Sequence, residues 1–304
     1  MKDILRYIAE YFKDVNKLVF LLCSSQTFLL IFLNYHNHLE WWLTTRQTLA
    51  WPEFTGHYLL FIVAFTIPYT LYNFLERENY FSRKRFLVLL LIAPAIFALK
   101  MAIHTELPFA RVAAWNAYWN KIYYWPVRLV LVVSLLYFVW ITGDSDQPFY
   151  GLTSKAFRWR PYVMMLLCMV PLVTIASTQA DFLSAYPKLQ AVFQPAGTTN
   201  LSWIHKLLFE LSYGSDFIGI ELFFRGFLIL AFIKWVGANA ILPMACFYCT
   251  IHFGKPLGEC ISSYFGGLLL GIVVYNTRSI YGGLIVHLGI AWLMEIGGYV
   301  GNGW

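Results

Sequence analysis

Phe86-Leu-Val-Leu-Leu-Leu-Ile-Ala-Pro-Ala-Ile-Phe-Ala-Leu-Lys-Met-Ala-Ile103 carries one charge, Lys100, and follows directly on Arg83-Lys-Arg85. A membrane-spanning helix needs about 20 mostly apolar residues. In hydrocarbon every backbone N–H and C=O must be satisfied within the chain, so a run of this kind predicts a helix. Working outward, comparable runs precede it at 18–35 and 57–75. Others follow at 126–142, 162–177, 203–236, 239–253, 261–275 and 280–299. The run at 203–236 is long and is expected to break near Gly214-Ser215. The runs at 239–253 and 261–275 are short and suit a bundle interior. The fold class predicted is all-α, a polytopic transmembrane helix bundle of about 8–9 spans.

Composition points the same way. The chain is 59% hydrophobic and 12% charged, whereas a globular domain is about 25% charged. That deficit of charge leaves the sides of the molecule to lipid. The formal net charge of +6 does not mark a nucleic-acid protein, because the basic residues fall in short clusters between apolar runs. Those clusters alternate. Lys2, Arg6, Lys13 and Lys17 precede the first run. Arg77, Arg83, Lys84 and Arg85 lie between the second and third, and Lys155, Arg158 and Arg160 between the fourth and fifth. The intervening loops are poorer, with Arg46, then Arg111 and Lys121, then Lys188. Basic loops stay in the cytoplasm, so the N-terminus is expected inside, with nine spans carrying the C-terminus outside. No cleavable signal peptide is evident. Asn73 and Lys100 sit near run ends, where they are expected to reach the interface.

Cys23, Cys168, Cys246, Cys249 and Cys260 all lie in or beside apolar runs and form no disulfide framework. Cys246-Phe-Tyr-Cys249, with His252 beyond it, superficially looks like a metal box. Its apolar context favours cysteines that pack as small hydrophobes. The polar stretch 143–159 is expected to separate an N-terminal part, 1–150, from a C-terminal domain, 160–304.

The C-terminal part holds the ionisable residues that are costly inside a membrane and therefore mark function. Glu221 and Arg225 are i and i+4 on one helical face, with the acid first. A structural ion pair is the alternative reading for them. His252 ends the seventh run, Glu259 follows after a Gly/Pro turn, and His287 sits in the ninth. A carboxylate that takes a proton from water, with histidines steadying an oxyanion, is what peptide hydrolysis requires.

These residues, in this order, resemble the CAAX prenyl protease type II family, which includes the Abi class. The family shows a Glu-Glu-x-x-x-Arg helix, a Phe-x-x-x-His helix and a His-x-x-x-Asn helix. Here Ile220-Glu221-Leu-Phe-Phe-Arg225 stands at the first motif, Tyr248-Cys-Thr-Ile-His252 at the second and His287-Leu-Gly-Ile-Ala291 at the third. The resemblance covers roughly residues 160–300. It implies an intramembrane endopeptidase acting on a membrane-associated protein or peptide. Glu221 would be held by Arg225, and His252 and His287 would polarise the water or the oxyanion. The first glutamate is Ile220 and the asparagine is Ala291, so the base is either Glu221 itself or Glu259. The single-glutamate pattern resembles a bacterial branch, which implies a plasma-membrane location and a substrate other than a prenylated CAAX protein. The alternative is a catalytically silent member that acts as a binding, scaffold or immunity protein. A divalent metal such as zinc could be held by His252, His287 and a carboxylate from Glu221 or Glu259. No His-Glu-x-x-His signature is present, and metal-free hydrolysis is the expectation.

Overall fold

The computed structural model describes residues 2–45, 51–104, 106–155, 157–193 and 201–303, and these are helical, with no strand among them. The loop charge Arg46 lies outside the described residues. The chain opens with α1 (Lys2–Asp14), α2 (Lys17–Asn37) and the short α3 (Leu39–Thr45). α4 (Pro52–Leu75), α5 (Lys84–Ala102) and α6 (Ala113–Ile141) follow. After the polar stretch come α7 (Trp159–Ala176) and the short α8 (Ala180–Ala185) and α9 (Gln190–Phe193). α10 (Trp203–Glu221) continues through a π-helical stretch (Leu222–Ala231) into α11 (Ile233–Val236). α12 (Ile241–Thr250), α13 (Leu257–Thr277) and α14 (Tyr281–Asn302) complete the bundle.

Local chemistry sets several of these boundaries. The Asn16 side chain accepts from the Leu18 and Val19 amides at the start of α2, satisfying N–H groups that the first turn leaves open. Pro52 opens α4, where its missing N–H costs nothing. α14 ends on Gly303 at φ +67°.

Seven helices are long and apolar enough to cross a membrane, namely α2, α4, α5, α6, α7, α13 and α14. The sixth and seventh expected runs take a different form. The sixth does not break at Gly214-Ser215. α10 runs straight through, because Gly214 leaves room for Leu288 and Trp292 of α14. The winding changes at Glu221 instead. The seventh is α12, ten residues long and buried throughout. The eighth, α13, begins at Leu257, so Glu259 stands in its first turn.

Contacts sort the loops onto two ends of the bundle. Lys234 and Arg85 both reach Asp144, at 2.5 and 3.3 Å, and Asn239 reaches Glu76 and Tyr80. α1 lines a cavity with Asn239 and Asn276 at that same end. At the other end Tyr35 donates to the Lys255 carbonyl, His104 pairs with Glu53 at 2.9 Å, and Asn302 donates to the Leu183 and Tyr186 carbonyls. The basic loops that alternate along the sequence thus converge in space, and α1 lies opposite the end of α14.

Lys100 does not reach an interface. Its side chain is 2% exposed and its ammonium meets Asp216 of α10 at 2.8 Å, while Arg128 donates to the Lys100 carbonyl. A buried acid on a neighbouring helix outcompetes snorkelling because it supplies the counter-charge inside the bundle. Asn73 caps instead, accepting from the Tyr80 amide at 3.1 Å. One continuous core binds the site helices to the earlier ones. In it Phe97 lies between Phe223, Phe224 and Phe247, and Phe61 stacks on Phe247.

Candidate active site

Glu221 is the last residue of α10, where α winding gives way to π, and it is fully buried. Its Oε1 takes two partners. Arg225 Nη1 lies at 3.2 Å and His287 Nδ1 at 2.7 Å. Arg225 is also fully buried. A pair taken out of water this completely is costly. Here one carboxylate oxygen meets a guanidinium and an imidazole together, while Arg225 Nε and Nη1 have no hydrogen-bond partner among the described residues. The other oxygen, Oε2, has no hydrogen-bond partner among the described residues. It points at Gly283 of α14, where an added Cβ would come within 2.5 Å of it. Glycine at that position is what lets α14 approach closely enough for His287 to reach the carboxylate.

Because a carboxylate only accepts, the proton on this edge of His287 belongs on Nδ1. Nε2 then accepts, and the Tyr248 hydroxyl lies 2.9 Å from it. The Arg225 guanidinium sits over the Tyr248 ring at 3.8 Å from its centroid. Phe217 of α10 meets the His287 ring edge-on, with centroids 4.8 Å apart. His252 stands one turn beyond Tyr248, just past the end of α12. Its Nδ1 donates to the Tyr248 carbonyl at 3.2 Å and its ring packs edge-on against the Tyr248 ring. α10 with its π-helical continuation, α12 with its end, and α14 thus bring Glu221, Arg225, His287, Tyr248 and His252 into one buried cluster.

Glu259 is drawn elsewhere. Its carboxylate is held by Lys255 at 2.6 Å and by the Tyr186 hydroxyl at 2.9 Å. Its first-turn position on α13 brings it to the loop before α9, and its charge also acts on Tyr248 of the cluster. Among the described residues no three His, Cys, Asp or Glu side chains converge as a metal site. His287 commits both ring nitrogens to protein partners, and His252 commits one. Cys249 Sγ lies 4.0 Å from Cys260 Sγ, both buried in the core.

Sequence reading left several participants out. The Tyr248 hydroxyl registered only as a Tyr standing where the motif has Phe. Gly283 is half of a Gly-Gly pair, and nothing local in the sequence marks the carboxylate it faces. Tyr186 carried no signal, since its meeting with Glu259 joins residues far apart in the chain. Glu295 of α14 is also buried, at 1% exposure, and accepts from the Lys188 amide at 2.8 Å. An i, i+8 relation to His287 would have put it on the same helix face.

Residues 206–293 match the family model described as type II CAAX prenyl endopeptidase Rce1-like. That segment contains every member of the cluster and Glu259. No curated protein and no solved structure matches the chain.

Proposed function

We propose, from the match of residues 206–293 to the Rce1-like type II CAAX prenyl endopeptidase model, that this chain is a CAAX-protease-like intramembrane endopeptidase that hydrolyses a peptide bond in a membrane-associated protein or peptide. One observation carries the reading. A fully buried glutamate binds an arginine and a histidine through the same oxygen. In this reading Arg225 keeps Glu221 ionised, and Glu221 orients His287 and stabilises its protonated form, as a carboxylate does for the histidine of a hydrolytic triad. His287 takes the proton from the attacking water and returns it to the leaving amine. His252, beside them, keeps its proton on Nδ1 toward the Tyr248 carbonyl and presents Nε2 as an acceptor that holds the attacking water. The chemistry is metal-free. The N-terminal part, 1–150, braces this C-terminal domain, 160–304. The membrane is a plasma membrane, with the basic loops on its cytoplasmic side.

Ile220 and Ala291, which stand where the resembled motifs have Glu and Asn, favour a second reading of the same site as a silent binding or immunity protein. Comparison of membrane-protein termini separates the two. It needs three strains of the source organism: gene-deleted, restored with wild type, and restored with Glu221→Gln at equal protein level. Proteolysis predicts specific termini that vanish on deletion and stay absent with Glu221→Gln. Termini that never change, or that Glu221→Gln restores in full, favour the binding role.

A further inference from the structure

Both ring nitrogens of His287 are engaged. Its Nδ1 is taken by Glu221 and its Nε2 by the Tyr248 hydroxyl, at 2.7 and 2.9 Å. We propose that Tyr248 is a catalytic residue, the group through which protons pass between the reacting water and His287. The inference rests on the hydrolytic reading above and assigns the site a member that the reading did not include.

The direction of the hydrogen bonds follows from the partners. Glu221 can only accept, so Nδ1 carries a proton, Nε2 presents its lone pair, and Tyr248 O–H donates to it. With the reacting water bound at the phenol oxygen, its proton passes to that oxygen first. The water O–H bond breaks and a new phenol O–H bond forms. The former phenol proton moves to Nε2, and the hydroxide electron pair makes the bond to the carbonyl carbon. On collapse the C–N bond breaks, and the proton returns from Nε2 through the phenol to the departing amine nitrogen. Atoms and charge balance with no outside reagent. Two features support transient negative charge on the phenol oxygen. The Arg225 guanidinium lies over the ring at 3.8 Å, where a cation is favoured. The His287 imidazolium formed in the step adjoins the oxygen itself. The ring is 3% exposed and fixed from both sides, by Phe224 and by His252, so the hydroxyl has little freedom to leave Nε2. At the third motif, Ala291 is buried and brings no proton-bearing group.

The test uses the full chain purified into proteoliposomes, with membrane vesicles from the gene-deleted strain as substrate. New N-termini are quantified over time. Tyr248→Phe removes one oxygen and keeps the ring over Arg225. The expected result is a fall of about 100-fold or more in rate, the usual range for losing a proton-transfer group, with the melting temperature in detergent little changed. 3-Fluorotyrosine at position 248 keeps both ring and hydrogen bond but makes the phenol more acidic. It should retain turnover with a displaced pH profile. A Tyr248→Phe rate within twofold of wild type overturns the proposal while Glu221→Gln still abolishes cleavage. If Tyr248→Phe fails to fold, a fluorotyrosine profile that superimposes on wild type overturns it instead. If wild type itself releases no termini, the hydrolytic reading fails and this inference falls with it.

Discussion

Lys100 shows how a single residue can be legible in type and misleading in place. A lysine three residues from the end of an apolar run reads as one that reaches for the interface. The structure pairs it with Asp216 instead, in a bridge whose side chains are 2% and 14% exposed. The partner lies on α10, more than a hundred residues away, and nothing local announces it. Removing one member of a buried pair strands the other charge, at a cost of about 3–5 kcal/mol. Lys100→Met should therefore lower the melting temperature in detergent substantially, and Lys100→Met with Asp216→Leu should recover much of the loss. Equal melting temperatures for the single and double variants would contradict the pairing. The site residues divide along the same line. Glu221 and Arg225 are neighbours on one helix, and their pairing could be read from i, i+4 spacing. The bond from His287 to Glu221 depends on how closely α14 approaches, which Gly283 governs. The assignment of Glu259 as an alternative base turned on a loop path, and a helix beginning at Leu257 redirects it to Lys255 and Tyr186.

At the scale of elements, apolar runs located every long helix, although α6 begins thirteen residues before its run, and they could not show winding. The stretch Leu222–Ala231 is π-helical, a form that is rare and concentrated at functional sites. Composition does not distinguish it from α. Its neighbour across the bundle is the polar stretch at 143–158, read in sequence as a separator between two parts of the chain. There Tyr150 holds φ +40°, is fully buried and donates to Asp144 at 2.8 Å. Gly226 lies against it. A Cβ on Gly226 would approach the Tyr150 carbonyl oxygen to 2.5 Å and its Cβ to 3.1 Å. Backbone cannot swing aside as a long side chain can, so Gly226→Ala should cost about 1–3 kcal/mol by overpacking. Chemical or thermal denaturation would measure it. An unchanged midpoint would mean that the loop is free to move off the helix.

The whole molecule makes the charge alternation geometric. Loops bearing Arg83 and Arg85, and Lys234 beyond them, meet around Asp144 at one end, and α1, whose Lys2, Arg6 and Lys13 are balanced by Asp3, Glu10 and Asp14, lies at that end too. Positive loops stay in the cytoplasm. In intact cells, with exposed Cys168 replaced by Ala, Lys2→Cys and Arg83→Cys should resist a membrane-impermeant maleimide. Glu106→Cys should react. The reverse pattern would invert the proposed orientation. Fold class could be read from the sequence because lipid imposes a simple rule on every span. The number of helices able to cross could not. α12 is apolar like the rest yet only ten residues long, and it is enclosed on all sides.

The π-helical stretch has one mechanical consequence. A turn that closes over five residues instead of four holds extra chain. If the stretch rewound as α by one residue, everything beyond it would rotate by about 100° relative to α10, the angle of one residue on a helix. Glu221, at the boundary, would stay with α10. Lys234 would turn away from Asp144, and Gly226 would no longer face Tyr150. The stretch thus joins, along one continuous helix, the ion-pair cluster at one end of the bundle to the carboxylate at its centre.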